Sequence, residues 1–476
     1  MQGQPGNAIL QDNDRDTAAR ISAAFQKGCA LQKKDRLEEA ARAYREVLHL
    51  DPDHISSLNN LATALRKLGH HGTAAAYSRR VSELAPLNYH YLSNYGNALL
   101  SLDRKSEALT VHAEAVIRSP GDFIIRKNYA IALREFGKHD EALFHFNVAN
   151  TMKPGDPDIQ WELAGLYLRT GRFEEGWKAF EVRWQFDWMK SPHHDHPRWT
   201  GESFRDKTIM LCAEQGFGDT ILCSRYIPML KMRGGRIIFI CKKNLHRLFK
   251  TVPGIDSMIE PGVVTDPFDC HISIMSLPGI FGTTLNSIPP LPDLYVPEKT
   301  PPEAQRLLDL GKGKFRVGIV WSGSTTFKSN HKRAVSFKRF LPFAEIPGVQ
   351  LYSLQKGPCE KELADAGAQG LVLELGPHMD DFADTASILK QLDLVIMTDS
   401  SVAHLAGSLG CPVWNLLPYH AYWLYLSDRD DSPWYPSMTF IRQTEPGDWD
   451  GVFERALAKL QNTVSGRKRE NIAVRM

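Results

Sequence analysis

Residues 123–156 read FIIRKNYAIALREFGKHDEALFHFNVANTMKPGD, and the pattern of this stretch repeats along the amino-terminal third of the chain. Prolines recur at a spacing of 34 residues: Pro52, Pro86, Pro120 and Pro154. A turn series keeps the same phase: Asp35, Gly69, Asp103, Gly137 and Gly171. Two series of small residues do so as well: Gly28, Ala62, Gly96, Ala130 and Ala164, and then Ala40, Ala74, Ala108, Ala142 and Gly176.

Each series has a physical explanation in a repeated pair of helices. Small residues let two helices approach closely, glycine or aspartate supports the turn between them, and proline stands where the second helix ends. The period and the spacing resemble those of tetratricopeptide repeats. Four full repeats are expected from Ile21 to Asp156 and a fifth from Pro157, within a helical region 21–190 that follows a flexible segment 1–20.

Repeats of this kind stack into a superhelix with a concave face. That face could hold a protein or peptide partner, or it could be a spacer or a self-association surface. Asn60, Asn94 and Asn128 lie on the first helices of their repeats and could bind an extended peptide backbone through their amide groups. They could equally be solvated surface residues. We interpret the face as a groove for a protein partner.

The composition excludes several classes of protein. The chain has 476 residues, 43% hydrophobic and 24% charged, which is ordinary for a folded protein of about three domains. A formal net charge of +2 argues against a dedicated nucleic-acid binder. Residues 1–20 show no secretory signal, and no apolar run approaches the ~20 residues that span a bilayer, so we expect a cytoplasmic location without a transmembrane segment. The seven cysteines show no zinc-binding spacing.

After Trp199, short β-branched runs alternate with helical stretches, which predicts parallel sheets covered by helices. The runs predicted as strands are KTIMLCAE, RIIFICKK and SMIEP, and then FRVGIVWSG, VQLYSLQKG, LVLELG, DLVIMTD and PVWNLLP. A proline-rich stretch connects the two groups. We therefore expect an α + α/β protein, a helical solenoid followed by two Rossmann-like halves over 200–297 and 298–465, with a frayed basic tail over 466–476. Ligands in such sheets bind outside the carboxyl ends of the strands.

The first candidate site follows the first predicted strand. Gly216 and Gly218 let backbone amides approach a ligand at the start of a helix, where anions are favoured, and Gln215 belongs to the same loop. Asp219 could act as a general base that faces the cleft, or it could simply cap the helix. The sequence alone does not separate these two roles.

The second candidate site follows the strand DLVIM. Ser400 and Ser401 with the adjacent N–H groups could hold a diphosphate at a helix N-terminus, and Asp399 could orient the loop. His404 lies one turn into the helix on the same side as the two serines. It is either part of this site or a structural histidine in the core, and the two alternatives are evenly balanced.

The third candidate site leaves the strand FRVGIV. Ser322 and Gly323 lie at its end, and the basic run that follows, with Lys332 and Arg333, suits phosphate oxygens. A solvated basic loop is the competing interpretation. Gln355 lies at the end of the next strand, where it could orient a nucleotide base.

Residues 207–460 resemble the glycosyltransferase family 9, or heptosyltransferase-like, domain. The motifs that carry the resemblance are AEQGFGDTILCSRYIPML, VGIVWSG, LYSLQKG, DFADTASILKQLDLVIMTDSSVAHLAGSLGCPVW and DSPWYPSM. The resemblance implies a GT-B fold and an inverting reaction without a required metal or other cofactor. The acceptor would bind the first α/β half and a nucleotide-sugar donor the second.

By the same resemblance, Asp219 is the catalytic base, and Asp399, Ser400, Ser401 and His404 match the donor-phosphate motif, with His404 grouped with Asp219 as catalytic. Lys332 or Arg333 would take the place of the family's phosphate-binding basic residue.

The leading hypothesis is a cytoplasmic transferase that glycosylates a protein, such as flagellin or a surface protein, recruited by the repeats. One alternative is a lipopolysaccharide or glycan transferase whose repeats only organise an assembly. The other alternative is a scaffold with an inactive transferase region. No residue identifies the nucleotide, the sugar or the acceptor.

Overall fold

Paired antiparallel helices form the amino-terminal unit of the chain, residues 1–163. The computed structural model describes residues 6–189, 195–263, 267–327 and 330–473. The helices of this part are α1 Gly6–Lys33, α2 Leu37–Leu50, α3 Ile55–Lys67, α4 His71–Leu84, α5 Tyr89–Ser101, α6 Lys105–Arg118, α7 Phe123–Glu135 and α8 His139–Met152. The next helix, α9 Pro157–Arg169, begins in this unit and ends in the second. Helices α1 to α8 pack as four successive hairpins, and each hairpin packs on the next.

The turn positions of the repeat adopt the left-handed backbone conformation. The φ angle is 56° at Asp35, 84° at Gly69, 59° at Asp103, 86° at Gly137 and 76° at Gly171. Glycine and, less readily, aspartate tolerate this conformation, which ends a helix and turns the chain back. The role predicted for this series is therefore confirmed.

Glycine in the first helix of a repeat makes room for a large ring from the second helix. A Cβ atom added to Gly28 would lie 2.6 Å from a ring carbon of Tyr44, and one added to Gly96 would lie 2.6 Å from Nε2 of His112. Tyr44 and His112 occupy the same position of their repeats, and both are fully buried. Close helix approach thus depends on a matched small and large residue.

The segment 1–20, expected to be flexible, is helical from Gly6 onward and runs without a break into the first repeat. No proline interrupts residues 6–33, and alanine, glutamine and arginine there favour helix. The tail over 466–476, expected to be frayed, is likewise helical as far as Ala473, because α20 spans Trp449–Ala473. Its last three residues lie outside the described residues.

The second unit, residues 164–476, contains two parallel sheets. The first has the order β3-β2-β1-β4 and consists of β1 Thr208–Cys212, β2 Arg236–Ile240, β3 Ser257–Ile259 and β4 Cys270–Ser273. The second has the order β10-β9-β8-β5-β6-β7 and consists of β5 Phe315–Val320, β6 Val349–Ser353, β7 Val372–Glu374, β8 Leu394–Thr398, β9 Val413–Leu417 and β10 Met438–Arg442. Counted within the second sheet, this is the doubly wound order 3-2-1-4-5-6.

Helices connect the strands and cover the sheets. They are α10 Phe173–Phe180, α11 Phe217–Cys223, α12 Ile227–Lys231, α13 His246–Phe249, α14 Leu277–Ile280, α15 Pro302–Asp309, α16 Leu341–Ala344, α17 Lys361–Asp365, α18 Phe382–Leu389, α19 Ser401–Ser408 and α20. Every residue of β6, β8 and β9 is buried, as expected for strands covered on both faces. The predicted strands are present, and two further strands, β4 and β10, were not predicted; each lies at an edge of its sheet.

The last helix of the repeat series belongs to the second unit. Helix α10 packs against α14, and Trp177 Nε1 donates a hydrogen bond to the carbonyl of Thr283 at 2.9 Å. The second unit accordingly begins at Ala164, earlier than the boundary near residue 190 that the repeat pattern predicts. The reason is that α10 buries its aromatic face against the α/β elements.

Candidate functional site

The loop after β1 has a constrained backbone. Gln215 has a φ angle of 61°, in the left-handed region that residues other than glycine seldom adopt, and such residues concentrate at functional sites. Gly216 is the N-cap residue of α11, and Asp219 is the third residue of that helix. Asp219 is therefore not the cap itself, although its Oδ2 accepts a hydrogen bond from the Gly216 N–H at 3.0 Å.

The carboxylate of Asp219 has a second partner. The hydroxyl of Tyr422 donates to its Oδ1 at 3.1 Å. Burial raises the pKa of Asp219, and the two hydrogen bonds and the nearby His404 counteract part of that shift. A carboxylate with a raised pKa is a stronger base at neutral pH than an exposed aspartate. This geometry is compatible with the base role.

The loop after β8 places its acidic side chain between a cation and a phenol. Asp399 Oδ2 accepts from Arg333 Nη1 at 2.9 Å, and its Oδ1 accepts from the Tyr425 hydroxyl at 2.5 Å. Ser400 is the N-cap of α19, and its Oγ accepts from the Val402 N–H at 3.3 Å. Ser401 is the first residue of α19 and is half-buried. The positive end of the helix dipole and Arg333 thus lie together at the carboxyl ends of β5 and β8, where the strand order reverses.

The structure distinguishes the two basic candidates. Arg333 is joined to the end of β5 through Asn330, which accepts from Arg333 Nε at 3.3 Å and donates to Ser322 Oγ at 3.0 Å. A Cβ atom on Gly323 would lie 2.7 Å from Arg333 Nη2, so any larger residue there would displace the guanidinium group. Lys332 is exposed. Lys328, at the start of the predicted basic run, lies outside the described residues.

Gln355 has a different role from the one predicted. Its Oε1 accepts from the N–H groups of Trp321 and Ser322 at 3.1 and 3.0 Å. Its Nε2 donates to the carbonyls of Ser322 and Lys356 at 3.1 and 3.2 Å. These bonds use both lone pairs and both protons of the amide, and the side chain is only 3% exposed. Gln355 therefore holds the ends of β5 and β6 together and does not orient a nucleotide base.

His404 lies on α19 beside the second sheet, and its ring packs against α11, which follows a strand of the first sheet. A Cβ atom on Gly218 of α11 would lie 2.5 Å from the His404 ring, so the second glycine of the predicted loop is needed for this contact. His404 is 5% exposed, its Nδ1 lies 3.0 Å from the Tyr435 hydroxyl, and burial lowers its pKa. This placement favours the alternative of a histidine packed in the core of the site.

The described residues contain no group of three or more His, Cys, Asp or Glu side chains that could hold a metal ion. Nor does any helix among them have the length and apolar character required to cross a membrane.

The three asparagines predicted to line the repeat groove are bonded to neighbouring helices. Asn94 Nδ2 donates to Asn59 Oδ1 at 2.8 Å, and Asn128 Nδ2 donates to Ser93 Oγ at 3.0 Å. Asn60 Nδ2 donates to the Tyr44 hydroxyl at 3.4 Å. Amide protons that could bind a partner's backbone are thus used in part within the repeats.

A family model described as "Tetratricopeptide repeat" matches residues 25–89 and 59–123. The amino-terminal region consists of tetratricopeptide repeats. The chain is also 27% identical over 333 residues to "Protein FlbA" of Caulobacter vibrioides (strain ATCC 19089 / CIP 103742 / CB 15). The match covers 64% of this chain and 55% of that protein, so the chain spans about half the length of this curated relative.

Solved structures resemble part of the chain. A Pseudomonas aeruginosa pilF structure is 20% identical and covers 36% of this chain and 78% of its own, with a TM-score of 0.32. A thermophilic TPR protein of Thermus thermophilus is 20% identical and covers 37% and 93%, with a TM-score of 0.33. MamA of Desulfovibrio magneticus RS-1 is 18% identical and covers 34% and 90%, with a TM-score of 0.29. Because these scores are low, the repeat assignment rests on the family model and on the helix pairing.

Three residues that bond to acidic side chains near the site were not predicted from the sequence. Tyr422 and Tyr425 follow β9. Because ligand sites lie at the carboxyl ends of parallel strands, their position after this strand could have marked them as candidates. Arg183 follows the tetratricopeptide repeats, and its Nε and Nη2 bind the two carboxylate oxygens of Glu214 at 2.7 and 3.1 Å. Trp434 and Tyr435, in the motif DSPWYPSM, are buried beside Arg225, which favours a packing role.

Proposed function

We propose that the chain is a glycosyltransferase that moves a sugar from a nucleotide-sugar donor to a hydroxyl group. The observation that carries this proposal is the contact of α11 with α19 through Gly218 and His404, which joins the carboxyl ends of two parallel sheets. It brings an acidic side chain of one half, Asp219, close to the cationic helix N-terminus of the other. A base beside an anion-binding site is the arrangement that transfer from a diphosphate leaving group requires.

The reaction can be written from the residues of the site. Asp219 takes the proton of the acceptor hydroxyl, whose oxygen forms a bond to the anomeric carbon of the sugar. The bond from that carbon to the donor phosphate breaks, and its electron pair leaves with the nucleoside diphosphate. The N–H groups at the start of α19, with Ser401 and Arg333, stabilise the departing charge. The family resemblance supports inversion of configuration and independence from a metal ion.

Arg333 can serve a donor phosphate without releasing Asp399. A guanidinium group carries five N–H donors in a fixed fork. One of them bonds Asp399 and one bonds Asn330. The others suit the oxygens of a diphosphate. Arg333 is therefore our choice over Lys332 for the phosphate-binding residue.

The repeats support a protein as the acceptor. Tetratricopeptide arrays present a concave surface suited to a partner protein, and a transferase fused to one gains a means of acceptor recruitment. The residues Asn60, Asn94 and Asn128 remain candidates for this contact, with part of their hydrogen-bonding capacity used between repeats. We propose a cytoplasmic location for the reaction.

The test begins with binding and continues to transfer. ADP-, GDP-, UDP- and CMP-sugars are screened for a rise in melting temperature, since a ligand of the native state stabilises it. The donors that bind are then labelled and incubated with the enzyme and fractionated cell lysate. Label in protein supports the proposal, whereas label confined to lipid or glycan fractions indicates the glycan transferase. An enzyme that neither binds nor turns over any donor is the inactive scaffold.

Asp219→Asn should abolish transfer while retaining donor binding. The matched control is Asp309→Asn, an exposed aspartate of α15 that should leave transfer unchanged.

A further inference from the structure

One short segment contacts the key aspartates of both sheets. Residues 422–425, here called the tyrosine segment, follow β9. The Tyr422 hydroxyl donates to Asp219, which follows β1, at 3.1 Å. The Tyr425 hydroxyl donates to Asp399, which follows β8, at 2.5 Å. Two tyrosines three residues apart therefore set one phenol on each carboxylate.

The tyrosine segment is fixed at its carboxyl end by an unusual backbone. Leu426 has φ 53° and ψ 179°, a region that glycine alone adopts readily, and the residue is buried. Arg442 in β10 donates to the carbonyl of Tyr425 at 2.5 Å and to that of Arg429 at 2.9 Å. Surrounding structure must hold such a conformation, because the residue would otherwise relax.

Aromatic packing fixes the middle of the segment. The Trp423 ring lies edge-on to Trp177 of α10, with centroids 5.3 Å apart, and to Trp434, with centroids 6.1 Å apart. Trp423 is buried. A segment that is packed in this way has few alternative conformations, so its two hydroxyl groups are preorganised.

We propose that the tyrosine segment positions both halves of the site for transfer, with Tyr422 orienting Asp219 and Tyr425 holding Asp399 beside Arg333. This inference rests on the proposed function. Tyr422 and the Gly216 N–H bind opposite oxygens of Asp219 and so fix the plane of its carboxylate. Each oxygen keeps a second lone pair, which is where an acceptor hydroxyl would bind.

The electrostatics around Asp219 give the proposal a measurable consequence. The ionisable groups near it are His404, Asp399, Cys223 and Tyr435, besides Tyr422. Burial and the charge of Asp219 raise the pKa of Tyr422, so this phenol stays protonated and donates. Its hydrogen bond favours the ionised carboxylate, and loss of the hydroxyl raises the pKa of Asp219 further.

The decisive comparison uses Tyr422→Phe and Tyr425→Phe. In Tyr422→Phe the acidic limb of the kcat/KM profile should move up by about one pH unit, with the KM for donor little changed. In Tyr425→Phe the KM for donor should rise roughly tenfold, with the acidic limb unmoved. Tyr419→Phe, on the same stretch of chain and without a contact to either aspartate in the described structure, should match the wild type. If both test variants keep the acidic limb of the wild-type pH profile and the wild-type KM for donor, the proposal is wrong.

A second measurement does not depend on activity. The melting temperatures of the wild type, Tyr422→Phe, Asp219→Ala and the double variant form a double-mutant cycle. The double variant should lose less than the sum of the two single losses, because both single changes remove the same hydrogen bond. Additive losses overturn the positioning role of Tyr422 even in an active enzyme. If Tyr422 and Asp219 are coupled in stability but the protein transfers no sugar, the hydrogen bond is confirmed and the proposed function is wrong.

Discussion

The guanidinium of Arg183 lies 2.7 Å from Oε1 of Glu214 and forms a two-pronged ion pair with that carboxylate, even though Arg183 is fully buried. Its other donors bind Glu181, the carbonyl of Phe180 and Ser276. The residue thus ties the chain that follows the repeats to the loop that carries Gln215 and Asp219.

Arg183→Met should destabilise the second unit by about 3–5 kcal/mol, because it leaves the charge of Glu214, whose side chain is only 9% exposed, without a cation. Unfolding by urea, followed through tryptophan fluorescence, measures the change. Arg172→Met is the control, since Arg172 pairs with Glu175 on the surface and such pairs contribute less than about 1 kcal/mol. A loss for Arg183→Met no larger than that of the control would contradict the prediction.

The stability of the repeats should fall between pH 6.5 and pH 4 because of His112. Burial lowers the pKa of His112 to about 4, whereas an unfolded histidine titrates near 6.5. The unfolded chain therefore binds a proton in this interval that the folded chain refuses. The stability from this residue is fully present above pH 6.5, and about 3 kcal/mol of it is lost as the pH falls to 4.

His112→Tyr tests this effect, because Tyr44 fills the same position against Gly28 in the first repeat. Chemical unfolding at a series of pH values should show a shallower loss in the variant than in the wild type. Parallel curves would assign the pH dependence to other groups.

Gly69 and Gly72 should respond to alanine in opposite directions, although a Cβ atom has open space at both. Gly69 has a φ angle of 84°, so Gly69→Ala should cost about 1–2 kcal/mol. Gly72 lies in the first turn of α4, where alanine should stabilise by up to about 1 kcal/mol. Thermal unfolding of the two variants checks the sign of each change.

Donor affinity should depend on Arg333 far more than on Lys332. Arg333→Gln removes the guanidinium that joins Asp399 to the end of β5, and the Kd for a bound nucleotide should rise tenfold or more, which is about 1.4 kcal/mol. Lys332→Gln removes an exposed charge from the same loop and should change Kd by less than about threefold. Calorimetric titration measures both. If the two variants raised Kd equally, Arg333 would not be the specific phosphate-binding residue of the loop.

Local patterns in the sequence were enough to predict the repeats and most strands. The turn series from Asp35 to Gly171 requires a conformation that its residue types tolerate, and buried strands such as β8 appear as continuous apolar runs. The strands β4 and β10 were missed because polar residues interrupt their apolar runs: β4 reads CHIS and β10 reads MTFIR.

The functions of individual side chains were harder to predict than the elements that carry them. The amide partners of Gln355 include backbone groups more than thirty residues away, so its hydrogen bonds depend on tertiary structure. For the same reason, no local pattern relates Tyr422 to Asp219, which are 203 positions apart in the chain.

The position of α10 determines where the chain can be cut. A fragment that starts after residue 190, at the apparent end of the repeats, would lack Trp177 and Arg183. Trp423 would then lose the ring that covers one of its sides, and Glu214 would lose the cation that neutralises its charge. Such a fragment should be insoluble or poorly folded for reasons unrelated to acceptor recognition. An α/β fragment fit for enzymology has to begin before Ala164 and retain the last pair of repeat helices.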